Sequence, residues 1–251
     1  MTGNQIGCTL LYYILMSRKA LGTIPANGAV VKSVVSTELA RKIAAGFGLV
    51  TFDTLTGFKW IAEKIQQFQD KGDHTFVFGF EESYGFLSST FVRDKDGVNA
   101  SLLIAEAAAW AKTQGKTLYD ILQEIYAKFG YYVEKVVSVT LPGKDGVAKM
   151  QQIMKNLRTD APKTLASKKV LAVRDYLAGT RTDLATGAVE AAGLPKSDVL
   201  YFELENDAWV CIRPSGTEPK IKLYVNTNAD NAEQSAKENA ELVEACKAIM
   251  Q

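Results

Sequence analysis

Residues 75–85 read Thr-Phe-Val-Phe-Gly-Phe-Glu-Glu-Ser-Tyr-Gly, an apolar run that ends in a polar segment between glycines. Its first six residues are mostly aromatic or β-branched, which predicts a strand. Further strands are predicted upstream at residues 29–35 and 49–52, each followed by a helix, at 36–46 and 58–70. Because strands and helices alternate, we expect a layered α/β domain with helices packed on a mixed sheet.

Helical periodicity continues through residues 2–18, 100–113 and 118–129, and the pattern changes near residue 130. Beyond that point strands are predicted mostly one after another, with a helix near each end. The strands are expected at residues 133–141, 169–173, 199–204, 209–212 and 221–225, and the helices at 146–157 and 231–250. This order predicts a smaller α+β domain with a mostly antiparallel sheet and two helices. We therefore expect two domains, residues 1–130 and 131–251.

The composition narrows the function classes. The chain has 251 residues, 47% of them hydrophobic, which is enough to bury two cores. Its formal net charge of +1 argues against a broad positively charged surface for nucleic acid or anionic membrane. Its longest apolar run, residues 8–16, is too short to span a bilayer. The three widely spaced cysteines predict free thiols and a cytoplasmic protein. The single histidine, His74, argues against His-rich metal sites and is interpreted as an exposed loop residue.

Two carboxylates and a hydroxyl stand between glycines at residues 79–85, where the predicted strand ends. Ligands of open α/β sheets gather at strand C-termini. Side chains alternate in extended backbone, so Glu81 and Ser83 are expected to face one ligand while Glu82 points elsewhere. A carboxylate beside a hydroxyl suits the vicinal hydroxyls of a sugar. A capped polar turn explains these residues equally well.

A second polar loop, Arg-Pro-Ser-Gly-Thr-Glu-Pro-Lys at residues 213–220, lies between two predicted strands. Arg213 offers a planar fork of donors to a phosphate or carboxylate, Ser215 and Thr217 add hydroxyls, and Gly216 lets backbone N–H groups approach an anion. Lys220 and its neighbour Lys222 are expected to add positive charge. Two flanking prolines would hold the loop ready for binding. These features favour an anion site over a plain polar hairpin.

Three other patterns are weaker. Gly115-Lys116-Thr117 matches the end of a P-loop, but its leading glycine is missing, and we predict instead that Gly115 ends one helix and Thr117 caps the next. Ser83 lacks the first glycine of a hydrolase elbow. Asp94 and Asp96 begin like a calcium loop, but the remaining ligands do not follow, which favours a polar turn.

Five segments together carry a family resemblance. They occur in family order along the whole chain, at residues 2–7, 56–59, 81–85, 93–97 and 213–219. In this order they resemble the third and fourth domains of a phosphohexomutase of the phosphoglucomutase/phosphomannomutase superfamily, with a lean toward the bacterial phosphoglucomutase branch. The resemblance implies a sugar-binding loop at residues 81–85 and a phosphate-binding loop at 213–219.

The resemblance also implies a chemistry for the complete enzyme. A phosphoserine in the first domain passes its phosphoryl group to a hexose phosphate, a bisphosphate intermediate turns over, and the second domain holds Mg²⁺. The expected partners are therefore hexose phosphate, hexose bisphosphate and the N-terminal domains, with neither nucleic acid nor membrane. The implied substrate-binding residues are Gly57, Phe58, Glu81, Ser83, Arg213, Ser215, Gly216 and Thr217, and Lys95 is the candidate for proton transfer or phosphate contact.

The sequence departs from the family pattern in one respect. It contains neither a Thr-Ala-Ser-His-Asn-Pro-type serine loop nor an Asp-x-Asp-x-Asp-Arg metal loop, so the ligands of Mg²⁺ are not expected in this chain. Phosphoryl transfer depends on positioning and on metal and charge stabilisation, so we expect no mutase turnover from this chain alone. Two other hypotheses stay open: a stand-alone phosphosugar-binding module, and a structural module that kept only the fold.

Overall fold

The strand Gly28–Ser33 (β1) is buried at all six positions, as expected at the centre of a sheet covered on both faces. It pairs in parallel with Val50–Thr54 (β2) and with Thr75–Glu81 (β3). A short strand, Gly85–Leu87 (β4), folds back antiparallel onto β3. The sheet is therefore mixed, with the order β2-β1-β3-β4, which confirms the predicted class of this half.

Helices cover both faces of this sheet. They are α1 (Gly3–Ala20), α2 (Leu39–Gly46), α3 (Phe58–Lys71), α4 (Gly97–Thr113) and α5 (Leu118–Phe129). Gly79 of β3 faces Ile61 of α3, whereas its neighbour Phe80 faces Gly7 of α1. These elements belong to the first of two compact units, Met1–Gly130 and Tyr131–Gln251. The computed structural model describes residues 1–216 and 218–250 of the chain.

An antiparallel sheet and two helices form the second unit. The strands are β5 (Tyr131–Thr140), β6 (Thr164–Leu165), β7 (Lys168–Asp175), β8 (Thr180–Asp183), β9 (Val189–Ala191), β10 (Leu200–Leu204), β11 (Trp209–Pro214) and β12 (Lys220–Ala229). The sheet order is β5-β12-β11-β10-β7-β8-β9, and β6 pairs with β7. Both helices, α6 (Gly146–Thr159) and α7 (Ala232–Ala248), contribute side chains to the same apolar core as the strands. The predicted α+β class is confirmed.

His74 is where a sequence interpretation was wrong. It lies in a loop, as predicted, but it is half-buried, with its ring centroid 5.0 Å from that of Phe52 and 5.1 Å from that of Phe68. Its Nδ1 lies 3.1 Å from the Asp73 carboxylate. The imidazole therefore packs on an aromatic surface and is not a free loop side chain.

Candidate functional site

The 81–85 loop is a tight reversal between two paired strands. Glu81, the last residue of β3, is the register partner of Gly85, the first residue of β4. Residues 82–84 form the turn between them, and Tyr84 takes a left-handed conformation with φ +65°. The alternation argument for Glu81 and Ser83 therefore fails beyond Glu81, because the backbone is not extended there. Ser83 lies exposed at the tip of the turn.

Glu81 connects this loop to the start of α3. Its side chain is 8% exposed, and its Oε1 accepts a hydrogen bond from the backbone N–H of Gly57 at 2.6 Å. Gly57 is the N-cap residue of α3, so the carboxylate also lies at the positive end of the helix dipole. Two of the predicted site residues, 24 positions apart in sequence, are thus brought into direct contact.

Phe58 and Lys95 both lie next to Gly85, the last residue of the 81–85 loop. A Cβ built on Gly85 would lie 3.1 Å from the Phe58 ring and 3.5 Å from Cδ of Lys95. The ring of Phe58 is 4% exposed within an apolar core, so it supports the loop from inside and offers little surface to a ligand. The Lys95 ammonium is exposed and lies 3.3 Å from the Asp94 carboxylate.

Two serines that the sequence analysis did not single out form hydrogen bonds with Glu82 in the turn of the 81–85 loop. Ser33 Oγ donates to Glu82 Oε2 at 3.2 Å and lies 2.8 Å from Ser36 Oγ. The backbone N–H of Glu82 donates to Ser36 Oγ at 3.1 Å. Glu82 therefore points into the protein, away from the exposed tip. The sequence does contain a signal for these two serines: Ser33 and Ser36 lie at the C-terminal end of an apolar strand, where open sheets place functional groups.

A buried charge cluster stabilises the same end of β1. Lys32 is fully buried, and its ammonium lies 2.8 Å from Glu38 and 2.9 Å from Asp53. Arg41 binds both of these carboxylates, at 2.7 and 2.5 Å. Burial alone would raise the pKa of Glu38, but the charges of Lys32 and Arg41 outweigh it and lower that pKa to about 2. Burial likewise opposes the charge of Lys32, yet Asp53 and Glu38 leave its pKa raised.

In the second unit, the segment predicted as a loop at residues 213–220 consists of the last two residues of β11, a connection, and the first residue of β12. We keep the name 213–220 loop for this segment, whose own backbone and hydroxyl groups hold it closed. Ser215 N–H donates to the Lys220 carbonyl at 2.7 Å, and Glu218 N–H donates to Ser215 Oγ at 3.3 Å. The carbonyl of Pro219 accepts from Leu141 N–H at 2.9 Å, which anchors the loop to the end of β5. The loop is therefore held by bonds at both of its ends.

Arg213 supplies the guanidinium of this loop. Its side chain is half-buried and makes no hydrogen bond or ion pair within residues 1–216 and 218–250. Its register partner on β12 is the exposed Lys222, so two positive side chains stand on adjacent strands. Lys220 adds less charge than expected, because its ammonium pairs with Glu218 at 2.7 Å. That ion pair in turn lowers the pKa of Glu218.

The remaining predicted ligands of the loop are its small residues. Ser215 is half-buried, and Gly216 is exposed, with open space where a Cβ would stand. Thr217 lies outside the described residues.

Comparison with known families accounts for both units. The family described as phosphoglucomutase/phosphomannomutase, alpha/beta/alpha domain III, matches residues 2–129, and the phosphoglucomutase/phosphomannomutase C-terminal domain matches residues 137–245. The chain belongs to the phosphoglucomutase/phosphomannomutase family. In family terms, the 81–85 loop lies in domain III and the 213–220 loop in the C-terminal domain.

Individual relatives agree with this assignment. A phosphoglucomutase of Staphylococcus epidermidis is 39% identical over 231 residues, which cover 91% of this chain and 41% of the relative. A phosphoglucomutase of Staphylococcus aureus is 39% identical over 234 residues, 93% of this chain and 41% of the relative. The chain thus spans well under half the length of these relatives.

The fold is also found in solved structures. The open form of the exocytosis-sensitive phosphoprotein pp63/parafusin, a phosphoglucomutase from Paramecium, superposes with a TM-score of 0.66 at 20% identity. That match covers 100% of this chain and 41% of the other.

Neither a metal cluster nor a membrane span is found in the part of the chain that the structure describes. There, no three or more His, Cys, Asp or Glu side chains are grouped so as to hold a metal ion. Within the same residues, no helix is both long and apolar enough to cross a bilayer.

Proposed function

We propose that this chain is the substrate-recognition half of a phosphohexomutase that interconverts hexose 1-phosphate and hexose 6-phosphate through a phosphoserine and a bisphosphate intermediate. The observation that carries the proposal is Arg213, a half-buried guanidinium that has no partner within the described residues and begins a loop of small and hydroxyl-bearing residues. An arginine whose donors are unused within the described residues can offer them to an anionic ligand. A phosphate fits its fork of donors.

The two loops take different parts in this proposal. Arg213, Ser215, Gly216 and Thr217 hold the phosphate group that is not being transferred. In the first unit, Glu81 and the exposed Ser83 face sugar hydroxyls, and Gly57 and Phe58 shape the backbone beside them. The exposed ammonium of Lys95 serves in proton transfer or contacts a phosphate.

The transferring groups come from outside this chain. The resemblance assigns the phosphoserine and the Mg²⁺ site to the family's first two domains, and the motifs of neither occur in this sequence. This chain alone is therefore expected to bind hexose phosphate and bisphosphate without converting them. Its three cysteines (Cys8, Cys211 and Cys246) are buried and form no disulfide, which agrees with a reducing compartment that we take to be the cytoplasm.

Two alternative functions make different predictions. A stand-alone phosphosugar-binding module would use the same loops but would have no catalytic partner. A structural module would pair its loop arginine internally, and the lack of a partner for Arg213 among residues 1–216 and 218–250 argues against that hypothesis.

Isothermal titration of the purified chain with glucose 6-phosphate tests the proposal. We expect weak binding, and the Arg213→Ala variant should lose at least about tenfold in affinity. Lys237→Ala, which removes one exposed positive charge from α7, is the matched control and should bind as the wild type does. If Arg213→Ala binds as tightly as this control, the proposal is wrong. Parallel titrations with mannose 6-phosphate measure the hexose preference.

A further inference from the structure

Helix α4 differs from the other helices of its unit in what it leaves exposed. Of its 17 residues only Ala107 and Ala111 are buried, and Glu106 and Lys112 are its only charged side chains. Val98 is 85% exposed and Leu102 is 60% exposed. A helix that is apolar on most of its surface is normally covered on most of its surface. The outer face of α4 is therefore an apolar surface exposed to solvent.

The exposed apolar residues lie in one stripe. Val98, Leu102, Ala105 and Ala109 are all exposed and follow one another at spacings of four, three and four residues. This spacing is the seam that a helix presents to another helix, with small alanines allowing a close approach. The stripe contains no charged side chain, as is usual at the centre of a protein interface.

The stripe begins beside the candidate site. The N–H of Asp96, the N-cap residue of α4, donates to the Phe86 carbonyl of β4 at 3.0 Å. In the first turn of α4, Asn99 Oδ1 accepts from Ser88 Oγ at 2.5 Å. A partner that brings a phosphoryl donor to the 81–85 loop must therefore approach the protein next to this end of α4.

We propose that the stripe formed by Val98, Leu102, Ala105 and Ala109 is the surface on which an apolar helix of the family's preceding domains packs. More than half of the relatives' length lies outside the region matched by this chain, and the matched domains are the third and the C-terminal one. The direction of approach rests on the proposed function. A second copy of this chain is the competing occupant.

Cysteine labelling separates these outcomes. Leu102→Cys places a thiol in the stripe, and Leu21→Cys, at a position 75% exposed after α1, is the matched control. The three native cysteines are buried, and burial raises the pKa of the Cys246 thiol to about 12, so they should react slowly. Each variant is labelled in this chain alone and in a chimera that joins the preceding part of Staphylococcus aureus phosphoglucomutase to Met1.

We expect both new thiols to react rapidly in the chain alone. In the chimera, the thiol at residue 102 should react at least about tenfold more slowly, and the labelling rate at residue 21 should not change. Equal labelling of both thiols in the chimera would overturn the proposal, as would protection of residue 102 in the chain alone that grows with protein concentration. Where the chimera does not fold, intact Staphylococcus aureus phosphoglucomutase with a cysteine at the position aligned to Leu102 gives the same readout, and rapid labelling there also overturns it.

The chimera also keeps this inference apart from the proposed function. Conversion of glucose 1-phosphate reports on the proposed function, whereas protection of residue 102 requires only packing. A chimera that protects residue 102 without binding or converting hexose phosphate supports the interface and contradicts the proposed function. A chimera that converts substrate while residue 102 stays reactive supports the proposed function and contradicts the interface.

Discussion

The carboxylate of Glu81 accepts a hydrogen bond from the backbone N–H of Gly57 at 2.6 Å, and this contact joins the end of β3 to the start of α3. Gly57 has φ +115°, a conformation that side-chain-bearing residues rarely adopt. The loop at residues 56–59 therefore depends both on its glycine and on a carboxylate from the neighbouring strand. Two of the proposed substrate loops are held as one unit.

Removal of this carboxylate should destabilise the first unit. Glu81→Ala leaves the Gly57 N–H without its acceptor in a part-buried position, at a cost of about 1–3 kcal/mol in the free energy of unfolding. Glu81→Gln keeps an acceptor oxygen and should cost less. Urea denaturation measures both, with the exposed Glu106→Ala as a control expected within about 0.5 kcal/mol of the wild type. A Glu81→Ala variant as stable as this control would show that the bond is dispensable.

Two helix-opening glycines should respond oppositely to alanine. A Cβ on Gly3, the first residue of α1, would stand 2.0 Å from the Glu82 carbonyl oxygen, whereas one on Gly97, the first residue of α4, meets open space. Gly3→Ala should therefore displace the 81–85 loop and destabilise the protein by about 1–3 kcal/mol. Gly97→Ala should be neutral or slightly stabilising. Thermal unfolding compares them, and equal melting temperatures would contradict the close contact at Gly3.

The serines below the turn should control its local opening. Ser36→Ala removes the acceptor of the Glu82 N–H, so exchange of that amide should speed up by about tenfold or more. Ser101→Ala, which removes a hydroxyl bonded to a carbonyl on the exposed face of α4, should leave it unchanged. Amide hydrogen exchange followed by NMR gives the rates. An unchanged exchange rate of the Glu82 amide in Ser36→Ala would show that the turn stays closed without the Ser36 hydrogen bond.

The charge cluster at β1 predicts acid sensitivity. Because the folded-state pKa of Glu38 lies near 2, below its ordinary value of 4.5, its stabilisation is present above pH 4.5 and is lost as pH falls toward 2. The size of this effect is on the order of 3 kcal/mol. Glu38→Gln should be less stable at pH 7 and should lose less further stability on acidification. Urea unfolding from pH 7 to pH 2 tests this, and parallel curves for variant and wild type would rule it out.

Local chemistry made much of the fold predictable. Thr117 caps the start of α5 as predicted, with Asp120 completing the reciprocal cap, and Gly115 follows the end of α4 with φ +70°. By contrast, β4, β6, β8 and β9 were not predicted. They have two to four residues each, and β8 is half-exposed throughout, so neither length nor alternation marks them.

The site was only partly predictable, because its decisive contacts join residues distant in sequence. The composition of the 81–85 loop marked it as functional, but the partner of Glu81 lies 24 residues upstream and the serines that hold Glu82 lie further away still. A fully buried Lys32 contradicts ordinary expectation for a charged residue. It is explained only once Glu38 and Asp53 are seen to surround it.

We propose that this chain recognises hexose phosphate without transferring its phosphoryl group. Phosphorus NMR of glucose 1-phosphate mixed with the pure chain tests both parts in one sample. We expect the ester resonance to shift or broaden with added protein, Arg213→Ala to abolish the change, and no glucose 6-phosphate to form. Appearance of glucose 6-phosphate, or an ester resonance that the protein leaves unchanged, would show that the proposal is wrong.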